Sequence, residues 1–371
     1  MSKAAELAKW GEVSTNGQVS GRRNIVINGA MQVAQRSASV TGIGASAGYF
    51  TCDRWNINTG SSAGRLTMTQ TADGPVGFAN CLKLDCTTAD TSIAAGEYLE
   101  LQQKFEGQDL QSIGKGVVGA KEITLSFYVK ANAAFTFGVE LYDLDNTRQI
   151  TKLFDTTTGW VRHELTFPAD VDDGSSPFGD DNAGSMQVVF WLHGGSNFTG
   201  GTLNTTAWAN STNANRAAGI DSFYSSTDNN FFITGVQLEV GSVATPFEHR
   251  SYGEELALCQ RYYYELTDTS QALEDIAIGS AYNTSQLELI IPFKVTMRAE
   301  PTCSVTASTD DFVALSNGGN DAFNGISGVG AGGLNHAMIY TASNGFSRTA
   351  GHAIRVRKQD ASVRINFSSE L

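Results

Sequence analysis

Charged side chains are scarce in this sequence, in which Asp, Glu, Lys and Arg make up only 17% of 371 residues. A typical soluble domain carries about 25%. Proline is also rare, with 6 residues, whereas glycine is frequent, with 39. Few charges and many glycines among β-branched and aromatic residues are typical of strands joined by turns. The composition therefore favours an all-β fold over a helical one.

Basic residues are fewer than acidic ones, and the formal net charge is −13. No Lys/Arg run is longer than Arg22-Arg23. An acidic surface repels phosphate backbones, and without a basic patch it does not bind anionic lipid. No apolar run is long enough for a membrane span, and Glu6 and Lys9 interrupt the stretch where a signal peptide would be apolar. We expect a soluble protein made in the cytoplasm, with no nucleic-acid partner and no membrane insertion.

The cysteines are five, an odd number, and no CxxC motif occurs. Without a secretory signal, this pattern predicts free thiols. Cys81 and Cys86 could meet across neighbouring strands, which the sequence leaves open.

The N-terminal residues 1–21 have the pattern of an arm. Residues 2–10 suit a short helix with Leu7 and Trp10 on one side, and a polar, glycine-punctuated stretch follows. A lone helix of this length is marginal in water, so we expect the arm to order by packing on another protein.

From residue 22 onward, strand patterns dominate. Residues 123–131 place Ile123, Leu125, Phe127 and Val129 on one face, and residues 135–145 alternate in the same way. Turn signals recur about every 10 to 20 residues, the spacing of a β-sandwich. Residues 22–250 are therefore predicted to form a sandwich.

A helix is predicted over residues 251–265, where Ser251-x-x-Glu254 forms a capping box after Pro246. Its apolar residues spread over two stripes, which indicates a linker wedged between two domains or two subunits. Residues 266–371 return to strand patterns and are predicted to form a second, smaller β domain.

Several motifs resemble a known family. RNIVINGAMQVAQR (23–36), CDRW (52–55), EITLSFYVKA (122–131) and ITGVQLEVGSVATPFEHRSYGEELALCQRYY (233–263) are similar to bacteriophage tail fibre or receptor-binding proteins of the marine and cyanobacterial phage type. The resemblance covers roughly residues 22–263. It implies a jelly-roll β-sandwich of the carbohydrate-module type, in a homotrimeric virion protein with a distal C-terminal domain.

The resemblance also implies partners. The arm would attach the protein to the phage tail, an adaptor or another virion protein through Leu7 and Trp10, and the outer end would meet a host cell-surface glycan. No catalytic residue is transferred, so we expect recognition without cleavage. A capsid-decorating or head-fibre protein and a glycan depolymerase are the alternatives.

Tyr262, Tyr263 and Tyr264 end the predicted helix and would point around its axis. Tyrosine offers a large apolar area and a hydroxyl that tolerates water, which suits interfaces. We predict that three copies bury these rings about a common axis, with packing inside one chain as the alternative.

Glycan contact is predicted for two groups of residues. The polar tract 193–230 contains Trp208 and Asn210, and a Trp face beside amides can hold a sugar ring; alternatively, Trp208 pins the tract to the sandwich. The C-terminal candidates are Phe312, Asn335, His336 and Tyr340.

Metal and catalytic motifs are weak. Asp170, Asp172 and Asp173 could hold a structural Ca²⁺, but Gly174 occupies a position where an EF-hand needs an oxygen ligand, so a solvated turn is the other interpretation. No other cofactor is predicted. Asp143 and Asp145 could act as acid and base, although two acids in a turn are usually only solvated.

Overall fold

A computed structural model describes residues 22–171, 177–317, 319–326, 328–342 and 345–371. The predicted arm with Leu7 and Trp10, and the candidate calcium ligands Asp172 and Asp173, lie outside the described residues. In the part that is described, no helix has both the length and the apolar character needed to cross a membrane.

The described residues form two compact units. The first runs to Glu255 and includes Leu371, and the second is Leu256–Glu370. The sequence predicted the sandwich to end at residue 250.

The first unit contains short helices and thirteen of the described strands. Its strands are β1 Ser39–Ile43, β2 Gly48–Tyr49, β3 Asn56–Gly60, β4 Arg65–Thr71, β5 Cys81–Thr88, β6 Tyr98–Glu106, β7 Ile123–Ala131, β8 Thr136–Asp143, β9 Arg148–Asp155, β10 Val161–Phe167, β11 Gly184–Gly194, β12 Ala209–Asn210 and β13 Asn230–Val240. One α-helical turn, α1, is Ser196–Thr199, and 3₁₀ turns occupy Gly107–Asp109, Gln111–Ile113, Asn213–Asn215 and Phe223–Ser225.

These strands build two antiparallel sheets. One has the order β1-β4-β5-β13-β7-β10, and the other has the order β12-β9-β8-β11-β6-β3-β2. The chain crosses repeatedly from one sheet to the other, as in a jelly roll, and the inner faces share one apolar core. The all-β prediction and the predicted jelly-roll sandwich are confirmed.

The alternation predicted for β7 is confirmed. Ile123, Leu125, Phe127 and Val129 are buried in the core, because successive residues of a strand point to opposite faces. Phe127 packs edge-on against Phe190 of the opposite sheet, so the aromatic contact joins the two layers.

The first described segment, residues 22–36, forms no regular strand, yet it is largely buried. Asparagine and glutamine side chains satisfy its backbone. The Asn24 carboxamide oxygen accepts hydrogen bonds from the amides of Val26 and Leu238 at 3.0 and 3.1 Å. Gln103 accepts from the Ile27 amide and donates to the Ile27 carbonyl, both at 2.8 Å. These bonds replace a ladder that the segment lacks.

Residues 248–255 complete the same network. The Arg250 guanidinium donates to the Val26 carbonyl at 3.1 Å and to the Asn24 carbonyl. Glu248 accepts from the Asn24 amide at 2.8 Å. Glu255 accepts from the Asn28 amide and pairs with Arg250. Two motifs that lie far apart in sequence therefore bond directly to each other.

Two motif glycines meet on this network. A β-carbon on Gly29 would lie 2.1 Å from the carbonyl oxygen of Val236, whose amide donates to the Gly29 carbonyl at 3.0 Å. Gly235, the residue before Val236, has a φ of +62° at a bulge in β13. Both positions therefore require glycine.

The second unit contains ten of the described strands. They are β14 Tyr263–Glu265, β15 Glu274–Ala281, β16 Gln286–Pro292, β17 Thr302–Thr306, β18 Phe312–Ser316, β19 Gly319–Phe323, β20 Gly328–Gly332, β21 His336–Ala342, β22 Ala353–Lys358 and β23 Arg364–Ser368. Their sheets have the orders β14-β23-β17 and β19-β18-β22-β15-β16-β21-β20. A separate apolar core fills this unit.

Helix α2, Tyr252–Gln260, begins at the predicted capping box. The Ser251 hydroxyl accepts from the Glu254 amide at 3.3 Å, and the Glu254 carboxylate accepts from the Ser251 amide at 2.9 Å. The predicted end near Tyr264 is wrong, because Tyr263–Glu265 pairs as a strand with β23.

The three tyrosines therefore do not surround a helix end. Tyr262, Tyr263 and Tyr264 are 1%, 5% and 5% exposed in a single chain. Tyr264 stacks on Phe367 within the core of the second unit. Buried rings offer no surface to another copy, so the interface predicted for them is wrong. Trimer formation itself stays a prediction.

All five cysteines are free, as predicted. Cys81 and Cys86 lie on one strand, β5. They therefore cannot meet across neighbouring strands.

We expect Gly29→Ala to destabilise the first unit by more than about 2 kcal/mol, because the methyl group overlaps the Val236 carbonyl. Urea unfolding monitored by tryptophan fluorescence measures the change. Gly159→Ala is the matched control, since a β-carbon there has no neighbour within 4 Å. Equal stability of the two variants would contradict the close approach.

Candidate functional site

The outer face of the seven-stranded sheet in the first unit is polar, although much of it is buried. Along β6, Leu99 and Leu101 face the core, so Glu100, Gln102 and Lys104 face away from it. Along β3, Ile57 faces the core, and Asn56 and Asn58 face outward.

The register of the sheet arranges these side chains in rows. Gln187 of β11 lies between Lys104 of β6 and Tyr142 of β8. Neighbouring strands are about 4.8 Å apart. The three side chains therefore form one continuous row.

Two further rows run parallel to the first, about 7 Å apart along the strands. The second is Asn56, Gln102, Val189 and Glu140, and the third is Asn58, Glu100, Trp191 and Gly138. The three rows together form a grid of side chains on the outer face of the sheet, and polar residues occupy most of this grid.

Part of the grid is covered by the tract that follows β11. Phe198, Ala217 and Ile220 pack on Val189 and Trp191 as a small apolar cluster outside the main core. Trp191 is fully buried by this contact. The tract thus closes one end of the sheet face and leaves the other end open.

Arg216 stands at the boundary between the covered and open parts. Its guanidinium donates to both carboxylate oxygens of Glu140, at 2.8 to 3.2 Å, and lies 3.7 Å from Glu100. It also lies 4.8 Å from the ring centroids of Tyr142 and Trp191. Burial would lower the pKa of Arg216, but Glu140 and Glu100 raise it above its usual value.

Glu100 is nearly completely buried at the floor of this face. Burial raises the pKa of Glu100 to about 7, while Arg216 lowers it and Glu140 raises it further. The Asn58 amide donates to Glu100 at 2.6 Å. Near neutral pH this carboxyl group is therefore divided between its charged and neutral forms.

The open end of the grid is a groove of about 390 Å³. Its lining combines amides, both signs of charge, an aromatic ring and two apolar side chains. The lining residues are Ala47, Asn56, Asn58, Glu100, Gln102, Lys104, Tyr142, Leu144, Gln187 and Arg216.

Three of the lining groups have their polar ends free. Within the described part of the chain, the Gln187 amide, the Lys104 ammonium and the Tyr142 hydroxyl form no hydrogen bond or ion pair. Such groups, fixed on neighbouring strands, are available to a ligand with several hydroxyls or charges.

The first predicted glycan-contact group, in the polar tract, is held by the protein itself. The Trp208 indole donates to the Pro168 carbonyl at 2.9 Å and packs against the core. The Asn210 amide oxygen accepts from Arg148 at 3.3 Å. The structure therefore places Trp208 as a pin for the tract, the alternative that the sequence analysis left open.

The second predicted glycan-contact group lies in the second unit, and the prediction is wrong for one residue of the group, Phe312. Phe312 is fully buried and stacks on Phe323 with ring centroids 5.4 Å apart, because it begins strand β18 with its side chain inward. Asn335 accepts from the Thr296 hydroxyl at 2.8 Å. His336 is exposed and Tyr340 is half-buried on β21. Glycan contact by Asn335, His336 and Tyr340 stays a prediction.

The predicted acidic candidates have structural partners. Both oxygens of Asp170 accept from Arg148 at 2.8 Å. Lys115 pairs with Asp143 at 2.6 Å. Asp145 accepts from the Gly179 amide. The described residues include no group of three or more His, Cys, Asp or Glu that could hold a metal.

The groove residues were missed by the sequence analysis, although two signals pointed to them. The segment Tyr98–Glu106 alternates polar and apolar side chains around Leu99, Leu101 and Phe105, and residues 56–58 do the same. Arg216 lies inside the polar tract that was singled out. Of the residues in this tract, Arg216 lines the groove and Trp208 does not.

We expect the pH dependence of stability to separate Glu100→Gln from the wild type. The pKa of Glu100 is raised from 4.5 to about 7 on folding, so the folded chain binds more protons between these values and stability falls as pH rises through them. From about pH 4.5 to about pH 8, the wild type should lose on the order of 3 kcal/mol more than Glu100→Gln.

Chemical denaturation over this pH range measures the difference. Glu122→Gln removes an exposed carboxylate and should follow the wild type. Parallel curves for Glu100→Gln and the wild type would contradict the raised pKa.

Comparison with known proteins adds only distant likeness. No family model matches the sequence, and no curated protein does. Among solved structures, the chain is similar to a CBM4 module, with a TM-score of 0.31, 12% identity, and coverage of 57% of this chain and 97% of that one. For TmCBM61 in complex with β-1,4-galactotriose, the TM-score is 0.30 and the identity is 10%, with coverage of 59% of this chain and 99% of that one. For the CBM22-1 xylan-binding domain from Paenibacillus barcinonensis Xyn10C, the TM-score is 0.27 and the identity is 10%, with coverage of 60% of this chain and 100% of that one. These values are too low to carry an argument, and the jelly-roll architecture rests on the strand order described above.

Proposed function

We propose that this chain binds a glycan in the groove on the outer face of the seven-stranded sheet. The observation that carries the proposal is the row Lys104, Gln187 and Tyr142, whose polar ends line the groove without a partner in the described chain. Buried or half-buried polar groups are normally hydrogen-bonded. A saccharide supplies several donors and acceptors at the spacing of such a row.

The groove also offers apolar surface. The Tyr142 ring and the Leu144 side chain line it, and the C–H face of a sugar ring packs against surfaces of this kind. The floor consists of hydrogen-bonded strands, so the backbone positions from which these side chains extend are fixed before binding.

Binding without cleavage is part of the proposal. Hydrolysis by the usual route needs two carboxylates on opposite sides of the bond. Among the residues lining the groove, Glu100 is the only acid. Glu140, the neighbouring carboxylate, accepts from Arg216 and from the Trp191 indole at 2.9 Å and is fully buried.

A glycan depolymerase is the second candidate, and one observation favours it. A pKa of about 7 for Glu100 suits a general acid at neutral pH. Incubating the protein with bacterial surface polysaccharides and measuring released reducing ends separates the two functions. We expect no release; release that is lost in Glu100→Gln would establish hydrolysis instead.

The proposed biological setting is attachment of a phage to its host. Its support is the sequence resemblance of residues 23–36 and 233–263 to tail fibre proteins. In this setting residues 1–21 anchor a homotrimer to the tail or an adaptor, and the groove meets the host glycan. The alternative is a fibre on the capsid.

Electron microscopy of phage particles labelled with an antibody against the second unit tests the attachment site. Label at the tail is expected, and label distributed over the capsid would favour the head-fibre alternative. Light scattering of the purified full chain tests the trimer, and a monomer at micromolar concentration would contradict it.

We expect Gln187→Leu to weaken glycan binding at least tenfold, because an apolar side chain leaves sugar hydroxyls unpaired in the groove. A glycan array identifies ligands, and calorimetry measures the dissociation constants. Asn197→Ala is the matched control, an exposed amide away from the groove lining. Trp208→Phe should lower stability without weakening binding. Weaker glycan binding at unchanged stability would instead indicate that the glycan contacts Trp208 in the polar tract.

A further inference from the structure

Lys104 is one of three described lysines of the first unit that have no counter-ion, and the other two, Lys121 and Lys152, do not line the groove. Paired lysines there are Lys83 with Asp85, Lys115 with Asp143 and Lys130 with Asp73, at 2.6 to 2.7 Å. No carboxylate lies within 4.0 Å of Lys104 in the described part of the chain. The side chain is nevertheless half-buried in the groove.

Leaving such a charge unpaired is unfavourable. Removing an ammonium from water costs free energy unless a partner compensates it. The chain carries an excess of acidic residues, 38 against 25 basic ones, so a partner for Lys104 could have been supplied. An uncompensated cation that faces a groove fits a ligand that brings the missing negative charge.

The surroundings of Lys104 reinforce this charge. Arg54 donates to the Lys104 backbone carbonyl at 2.7 Å, and its guanidinium is buried beside the strand. Burial and the Arg54 charge lower the pKa of Lys104, whereas Glu100 raises it. A bound anion relieves both unfavourable effects.

Glu100, the acid in the groove lining, lies four residues from Lys104 along β6, so their Cα atoms are about 13 Å apart. The Glu100 carboxylate pairs instead with Arg216, at 3.7 Å, and accepts a hydrogen bond from the Asn58 amide. Glu140 likewise pairs with Arg216. The Lys104 end of the groove is thus the positive end.

We propose that the groove selects acidic glycans, with Lys104 binding the carboxylate of a uronic acid while Gln187 and Tyr142 hold neighbouring hydroxyls. This inference rests on the proposed function and specifies its substrate class. Lys104 acts as a point charge with three donors, so it accepts a carboxylate in more than one orientation.

Matched pairs of oligosaccharides test the inference. Each pair has one backbone and one length, and differs only in a C6 hydroxymethyl or a C6 carboxylate: β-1,4-glucan and β-1,4-glucuronan, and β-1,4-mannan and β-1,4-mannuronan. Calorimetry on the full chain at about 50 mM and about 500 mM NaCl gives both affinities, and salt should weaken only the acidic member.

The wild type should bind the acidic member of at least one pair at least tenfold more tightly. Lys104→Met should abolish this preference, because it weakens binding of the acidic member at least tenfold more than binding of the neutral member, and Lys104→Arg should restore it in part. Lys121→Met removes an exposed lysine without an ion pair and should keep the preference. The melting temperature of Lys104→Met should equal or exceed that of the wild type, because an unpaired ammonium is removed.

Three outcomes are distinguishable. Equal binding of neutral and acidic members, unchanged in Lys104→Met, overturns the inference and leaves glycan binding intact. A tenfold preference that survives in Lys104→Met also overturns it. If no member of the series binds, the glycan array decides: binding to neutral glycans alone overturns the inference, and binding to no glycan overturns the proposed function as well.

Discussion

The first unit depends on how a buried segment without strand pairing satisfies its backbone. Residues 22–36 lie against the sandwich, and burying their amides and carbonyls unpaired would cost several kcal/mol. Asn24, Asn28 and Gln103 supply the missing donors and acceptors. Arg250, from the other end of the unit's sequence, donates to the Val26 carbonyl of the same segment. This mutual dependence gives a physical reason for both motifs to occur in one chain.

Much of the fold could be predicted because it follows from local periodicity. The alternation of β7 and the Ser251 capping box are decided by residues within a few positions of each other, and both are present in the structure. The end of α2 could not be predicted in this way. Tyr263 and Tyr264 leave the helix because β23, about a hundred residues later, provides a strand partner, and propensity yields to such pairing.

The groove was harder to predict than the fold. A polar residue on the outer face of a strand gives the same sequence pattern whether water or a ligand covers it. The sequence therefore did not distinguish Gln102 and Lys104 from ordinary solvent-exposed residues. Only the register of four strands shows that they share a surface with Gln187 and Tyr142. Trp208 drew attention as an aromatic in a polar tract, yet its indole completes a backbone hydrogen bond.

The tract after β11 has a consequence for how such a chain can diversify. It covers one end of the sheet face through Phe198, Ala217 and Ile220 and contributes a single long side chain, Arg216, to the boundary. Because most of this tract forms no strand-to-strand hydrogen bonds, residues can be added or removed there without shifting the register of any strand. The length of the groove, and with it the size of the ligand that it can accept, is therefore adjustable without a change in the strands beneath it.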